Sequence, residues 1–479
     1  MPRQRPHIAQ GTMNNCQSPM SNTLALRWLV ILAAVSFAPA LAFYYVGEEA
    51  IFPISALEMW TNCDWIRQHM YGANLQHNPL YNWLIIPFAS LAGWQYMLPV
   101  ARAITIASTL ATAGILGWLT RRLLHDRALA WFAALIYLTM ADVALYRGWL
   151  AYVDPLFGMF VFGAVAALWV ACAEERPRFI VLAVLSLICA FMSKAFTAYV
   201  FYATAAFVLL FSANGRRVLL SPLPIALHVV AVLAPVAWLH WVPVNAGQGT
   251  RMFSEIVAKL LPAGPWQYMQ QLAGFPTESL LRMSPALPLA IYFAWRRGVG
   301  LKGDPVLMTA IAIAALSYLP YWLAPLGAIR YLVPVYPLVA LAAAIVLWRA
   351  GETAVLSSRR WLGGMLVFKV IAVVLLFPYY QSHYRGENYA LAARDIIALT
   401  AGQPLYVTDV SASGMSVAGY IDAYMQPAPP LQVPPAAWES GFVIAYEEDA
   451  KLGQTFKHYP LAANDLYLLC RGAACAATR

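Results

Sequence analysis

Two sets of carboxylates stand where an apolar sequence should exclude them. Glu48 and Glu49 follow directly on the stretch Leu24–Val46, and Asp154 sits in YRGWLAYVDP at the start of another such stretch. A carboxylate at membrane depth costs about 2.5–3.5 kcal/mol on the insertion scale, less near the interface, so it persists where it has a function or a partner. Two such sites on one side of a bilayer imply a polar cavity opening to that side. The plain alternative is that Glu48 and Glu49 cap an interface and Asp154 pairs with Arg147. Cations among aromatics form a second set: Arg251, Lys259 and Arg282 lie among Trp266, Tyr268 and Phe275. Cations suit phosphates and aromatic faces suit sugars, although a membrane-interface belt has the same composition. The loop from Gly47 to Pro99 is long, polar and aromatic, a kind of connection that often carries function. Within it Ala50–Asn62 reads as a helix lying on the surface, followed by a turn through Tyr71-Gly72-Ala73-Asn74. Asp64, His69 and His77 share this loop without the spacing of a recognised metal site, and no metal or other cofactor is expected.

The scaffold that must position these residues is a membrane one. The 479 residues are 61% hydrophobic and 11% charged, against about 25% charged in soluble proteins. A soluble globule of this size could not cover its surface with so few charges. An ordinary cytosolic enzyme, a disordered chain and a disulfide scaffold are thereby excluded. Leu24–Val46 exceeds the apolar core of a signal peptide, so despite Ala40-x-Ala42 it reads as an uncleaved anchor. Further spans are expected near 99–120, 128–147, 153–172, 178–194, 196–213, 219–243, 284–295, 305–323, 331–348 and 361–380, about eleven in all at about 20 residues each. Pro79–Gly93 is short and holds Pro79, Asn82 and Pro87, so it reads as a juxtamembrane or re-entrant helix on the outer side. With that parity every basic cluster falls in a cytoplasmic turn: Arg121, Arg122 and Arg127; Arg176 and Arg178; Arg216 and Arg217; Arg296, Arg297 and Lys302; Arg349, Arg359 and Arg360.

The net charge of +9 divides into −3 over residues 381–479 and +12 before them. It therefore records orientation in a bilayer and implies no nucleic-acid partner. The chain divides into a cytoplasmic tail (1–23), an all-α transmembrane domain (24–380) with outer loops at about 47–98 and 244–283, and a small C-terminal α/β domain (381–479) outside the membrane. In that last part Tyr389–Thr400 and Val410–Met425 read as helices, the latter with Asp409 as a cap candidate. Pro404–Thr408, FVIAY and DLYLLC read as strands, with a Pro-rich linker between. Cys470 and Cys475 are near enough in sequence for a loop disulfide in an oxidising compartment; Cys172 and Cys189 are packing residues of spans.

In order, these residues resemble the membrane-embedded type-C glycosyltransferase superfamily, and within it the bacterial protein O-mannosyltransferase-like and lipid A aminoarabinose transferase-like families. The family's Asp-Glu pair after the first span is matched by Glu48-Glu49, and its Met before a Gly-Asp-Trp by Met59 before Cys63-Asp64-Trp65. Its Lys/His-Pro-Pro-Leu-x-x-Trp element is matched by His77-Asn78-Pro79-Leu80-Tyr81-Asn82-Trp83. A second outer acid is matched by Asp154, a Lys-Gly-Pro element in part by Ser193-Lys194-Ala195, and an Arg-Tyr-Leu-x-Pro run by Arg330-Tyr331-Leu332 with Pro334 and Pro337. The likeness covers about residues 24–345. It departs in Glu48 for Asp, in Lys194 lacking its Gly-Pro, and in His77 for Lys, which would make a phosphate contact pH-dependent.

The resemblance implies an integral-membrane inverting transferase that moves a monosaccharide from a polyprenyl-phosphate donor to a glycolipid, glycan or protein hydroxyl. It places the protein in the bacterial inner membrane with its C-terminal domain in the periplasm. Glu48 would be the general base, with Asp154 positioning the acceptor or sharing that role. Glu49, His77, Tyr81, Lys194, Arg330 and Tyr331 would bind substrate, with His77, Lys194 and Arg330 at the phosphate. An apolar groove between spans would hold the isoprenoid. A transporter or flippase of lipid-linked sugars is the competing reading, favoured by Lys369 in the middle of a span.

Overall fold

A computed structural model of the chain describes residues 19–75, 78–194, 196–242, 264–300 and 303–476. His77, Ala195, Arg251, Lys259 and Lys302 lie outside the described residues. Among those described, seven helices are long and apolar enough to cross a membrane: Thr23–Ala42, Trp94–Leu124, Asp154–Ala173, Pro222–Trp241, Pro305–Leu323, Ile329–Arg349 and Glu352–His383. Shorter apolar helices at Arg127–Leu138, Arg178–Ser193 and Thr197–Leu210, and one at Ala286–Arg297, occupy the other positions where spans are expected. Leu80–Ala92 is the short helix expected beside the membrane. The protein is a multi-pass membrane protein. Asp154–Ala173 and Ile329–Arg349 are its central helices, 78% buried against 17% for Pro222–Trp241. The apolar sequence alone does not separate these classes, because lipid and protein interior are both apolar.

The two ends of the bundle differ. At one end Asp126 accepts hydrogen bonds from the N–H groups of Ala128 and Leu129, and Asp304 from those of Val306 and Leu307. Each carboxylate thus caps the start of a helix, satisfying donors that have no partner within it. Arg349 also reaches Asp304 at 2.8 Å, Arg122 reaches Glu174 at 3.1 Å and Arg217 reaches Glu175 at 3.0 Å. The opposite end carries Glu48, Asp154, Lys194 and Arg330, together with the C-terminal unit.

That unit has four strands in the order Leu405–Val407, Gly441–Ala445, Leu466–Arg471, Gln454–Tyr459, the first pair parallel and the others antiparallel. Helices Glu387–Leu399 and Ala412–Tyr424 accompany the sheet. The helix start expected at Asp409 is capped instead by Ser411, whose Oγ accepts from Gly414 N–H. Strand Gln454–Tyr459 was not expected: it lies at the sheet edge, mostly exposed and irregular near Lys457, so its residues lack the apolar alternation of a buried strand. Cys470 and Cys475 are joined by a disulfide.

One expectation is overturned by packing. The helix after Glu49 forms, over Ile51–Thr61, but it does not lie on the surface. Phe52 through Met59 are all buried, between the membrane helices and the C-terminal unit. Apart from Ser55, Glu58 and Thr61 its residues are apolar, with no polar face to turn to water, which marks a helix enclosed by protein rather than one floating at an interface.

Candidate active site

Asp154 begins the central helix and is held from both sides. Its Oδ1 accepts a hydrogen bond from Lys194 Nζ, and its Oδ2 one from Arg147 at 3.1 Å. Lys194 ends helix Arg178–Ser193. Arg147 ends a widened π-turn over Val143–Arg147, and turns of that kind often mark functional positions. Lys194 also stands 5.1 Å from the centre of the Tyr331 ring, and Arg330 stacks on the same ring at 5.3 Å. Arg330 is exposed and carries Asp154 and Glu48 in its electrostatic surroundings. Three cations, one clamped carboxylate and one aromatic face therefore meet at a single point. The pairing of Asp154 with Arg147 holds, and it coexists with the Lys194 contact rather than excluding a site.

Glu48 reaches the same place from the outer loop. Its side chain is exposed, and among the described residues no ion pair engages it. Its backbone N–H donates to Tyr152 Oη at 3.1 Å, and Arg147 lies over the Tyr152 ring at 5.5 Å. Gly47 makes this approach possible: φ is +63°, and a Cβ there would lie 2.8 Å from Tyr152 Oη. Only glycine accepts both demands readily. Tyr152 thus holds the segment carrying Glu48 against the segment carrying Arg147 and Asp154.

Glu49 faces the other way. It is fully buried, and Arg102 donates to it at 2.9 Å from Nε and 2.5 Å from Nη2. The same carboxylate accepts the N–H groups of Val46 and Ala151. Arg102 spends its remaining donors on the carbonyls of Ala40, Phe43 and Tyr44. Every strong hydrogen-bonding direction of this pair is taken, so Glu49 positions the loop. Tyr81 is likewise turned inward, its hydroxyl on Ala101 O and Thr105 Oγ1. Both were expected to bind substrate; here their polar atoms are turned to protein partners.

Arg102 and Tyr152 were missed. An arginine inside an expected span should have prompted a search for its buried acid; nothing in the spacing marked Tyr152. A further acid, Asp142, lies behind the site, 4% exposed, paired with Arg282 at 2.6 Å and accepting Tyr336 Oη–H at 2.7 Å. Among the described residues no three His, Cys, Asp or Glu side chains are grouped to hold a metal ion. An apolar groove of about 760 Å³ runs between helices Ala286–Arg297, Pro305–Leu323 and Ile329–Arg349, lined by Leu287, Ile291, Ala314, Tyr318, Val335 and Val339 among others. Val335 and Arg330 belong to one short 3-10 segment, and Tyr321, one turn from Tyr318, stacks on Tyr331.

The same architecture recurs in solved structures. ArnT from Cupriavidus metallidurans, crystallised with undecaprenyl phosphate, superposes with a TM-score of 0.71 over 96% of this chain and 100% of that one, at 14% identity. The chain shares the fold of that ArnT structure. The archaeal oligosaccharyltransferase AglB from Archaeoglobus fulgidus shares it more distantly, with a TM-score of 0.50, 10% identity, and coverage of 86% and 64%. A family model described as dolichyl-phosphate-mannose-protein mannosyltransferase matches residues 76–241. An undecaprenyl phosphate-alpha-4-amino-4-deoxy-L-arabinose arabinosyl transferase of Pseudomonas fluorescens is 26% identical over 294 residues, 58% of this chain and 52% of that protein. The chain thus spans about half the length of the curated relative it matches. The likeness read from the motifs, to mannosyltransferases and to lipid A aminoarabinose transferases, agrees with what the chain is similar to in these comparisons.

Proposed function

We propose that this protein is an inverting type-C glycosyltransferase that takes a monosaccharide from a polyprenyl-phosphate donor. The observation that carries the reading is the meeting of Lys194, Arg147 and Arg330 around Asp154, with an exposed Glu48 beside them. The groove suits an isoprenoid chain, and the cations suit the phosphate at its head. Glu48 removes the proton from the acceptor nucleophile as it attacks the anomeric carbon. The bond from that carbon to the phosphate oxygen breaks, and polyprenyl phosphate leaves with its new charge facing the cations. Asp154 has both oxygens occupied, so its part is to hold Lys194 and Arg147 in place. No step of the scheme uses a cofactor. The acceptor class is a glycolipid, glycan or protein hydroxyl.

In a bacterial inner membrane the arginine-rich end would face the cytoplasm. The active end and the C-terminal unit would then be periplasmic, where the Cys470–Cys475 disulfide is chemically at home. A reporter enzyme fused after Tyr380 is expected to be active only outside the cytoplasm; cytoplasmic activity would reverse the orientation.

The transporter reading loses the residue that favoured it. Lys369 is fully buried with its ammonium 2.9 Å from the centre of the Phe37 ring and no hydrogen-bond partner, rather than on a polar path. Purified protein in proteoliposomes is expected to transfer labelled sugar from polyprenyl phosphate to an acceptor from the bacterial envelope. Movement of intact donor across the bilayer without transfer would instead establish a flippase.

A further inference from the structure

The contact between the outer loop and the C-terminal unit buries more acid than it neutralises. Helix Ile51–Thr61 contributes Glu58, fully buried, which accepts the N–H groups of Tyr71 at 2.5 Å and Gly72 at 3.1 Å. Helix Ala412–Tyr424 contributes Asp422, 3% exposed, whose Oδ1 accepts from Leu431 N–H at 2.8 Å. The loop before that helix contributes Asp409, whose Oδ1 accepts from Ser411 N–H at 2.7 Å. Asp409 Oδ2, Asp422 Oδ2 and the Tyr71 hydroxyl remain buried without a hydrogen-bond partner. The other groups facing this cluster are His69 and Gln432 beside Glu58, and Tyr45 beside Tyr71 and Asp422. His69 is also shared with Asp64 at 3.4 Å, and the nearby Arg102 is committed to Glu49.

The same contact seats the C-terminal unit. Val433 N–H donates to Tyr71 O at 3.4 Å, and Tyr45 N–H to Tyr420 Oη at 3.1 Å. A Cβ on Gly419 would come within 3.1 Å of Tyr45 Oη and 3.3 Å of the Ala50 side chain, so the two surfaces are in close packing. Tyr45 and Ala50 bracket Glu48 and Glu49 in sequence.

We propose that this contact is a proton-dependent latch: the C-terminal unit stays seated while the Glu58–Asp409–Asp422 cluster holds protons, and it loosens as the surrounding pH rises. Three buried carboxylates around Tyr71, two of them with an oxygen that has no hydrogen-bond partner, cannot all ionise without a large desolvation cost. A protonated Asp422 gains an O–H donor. Burial pushes Asp422 up to about 8 and raises Glu58 and Asp409 as well, against the pull of their N–H donors. The seated form therefore binds the proton more tightly than a form in which these carboxylates meet water, where an aspartate titrates near about 3.9. Seating is fully favoured below that value, and through Asp422 it weakens up to about tenfold per pH unit until about pH 8, then levels off. Control of Glu48 by the latch rests on the proposed function; the latch itself does not.

Hydrogen exchange of the full chain in nanodiscs tests it, over peptides covering 45–75 and 412–433 and with intrinsic exchange rates divided out. From about pH 5.5 to about 8.5, wild-type protection is expected to fall at least about tenfold. Asp422→Asn should remove most of the slope, Glu58→Gln a smaller part of it, and the exposed Glu447→Gln should leave it as in wild type. Should Asp422→Asn not fold, the wild-type series and Glu58→Gln decide. A flat wild-type profile overturns the latch, as does a wild-type slope retained in the cluster variants that fold.

Discussion

Glu48→Gln is expected to lower the rate of sugar transfer by about 10²–10⁴-fold, the usual contribution of a positioned general base. The amide keeps the size and the hydrogen-bonding reach of the side chain but cannot take a proton. Folding should be untouched, because the side chain is exposed and the contact to Tyr152 comes from the backbone. The loss should therefore fall on kcat, with the donor KM nearly unchanged. Glu48→Asp retains the charge and shortens the reach, so it should fall between the two. Asp154→Asn provides the contrast. It removes the charge shared by Lys194 and Arg147, so those cations lose their fixed positions and the donor KM should rise as kcat falls. Initial rates with labelled donor, at varied donor and fixed acceptor, separate the two patterns. A Glu48→Gln enzyme working at the wild-type rate would show that the base lies elsewhere.

What could be read from the sequence depended on how local the physics is. The spans followed from apolar runs, and the acids at their ends stood out because charge is costly there. Helix Glu387–Leu399 and strands Gly441–Ala445 and Leu466–Arg471 lie where their apolar patterns put them. The motif order was enough for the likeness that the solved structures share. Direction was not legible. Glu48 and Glu49 are neighbours of the same type, yet one is exposed and the other wholly enclosed; the difference is set by Arg102, 53 positions away. Tyr81 reads as an aromatic of a binding motif and is in fact tied to helix Met97–Leu124. The burial of helix Ile51–Thr61 depends on a C-terminal unit more than three hundred residues later, a contact that no local pattern encodes. Strand Gln454–Tyr459 escaped because an edge strand needs only one neighbour and keeps polar residues.

The largest effect on stability is expected at the buried pair. Arg102→Leu leaves Glu49 charged, or forced to take a proton, in a fully buried site, and frees the carbonyls of Ala40, Phe43 and Tyr44. Breaking a buried ion pair from one side costs about 3–5 kcal/mol. Glu49→Leu should cost a similar amount, since it strands the guanidinium and the N–H groups of Val46 and Ala151. The double variant removes both charges but leaves those backbone groups unpaired, each costing about 1–3 kcal/mol. It should therefore be less damaged than the sum of the single variants, by up to about 3 kcal/mol of coupling, without regaining wild-type stability. Arg102→Lys keeps the charge and loses the planar fork that reaches two carboxylate oxygens and three carbonyls together, so it should rescue only in part. Thermal unfolding of the detergent-solubilised variants measures this cycle, and strict additivity would show that the pair is not coupled. Transfer activity adds a second reading. Glu49 bridges Val46 and Ala151, and these flank Glu48 on one side and Arg147 with Asp154 on the other. Even at temperatures where the Arg102 variants remain folded, Glu48 should no longer be held against the cation cluster, and kcat should fall with it.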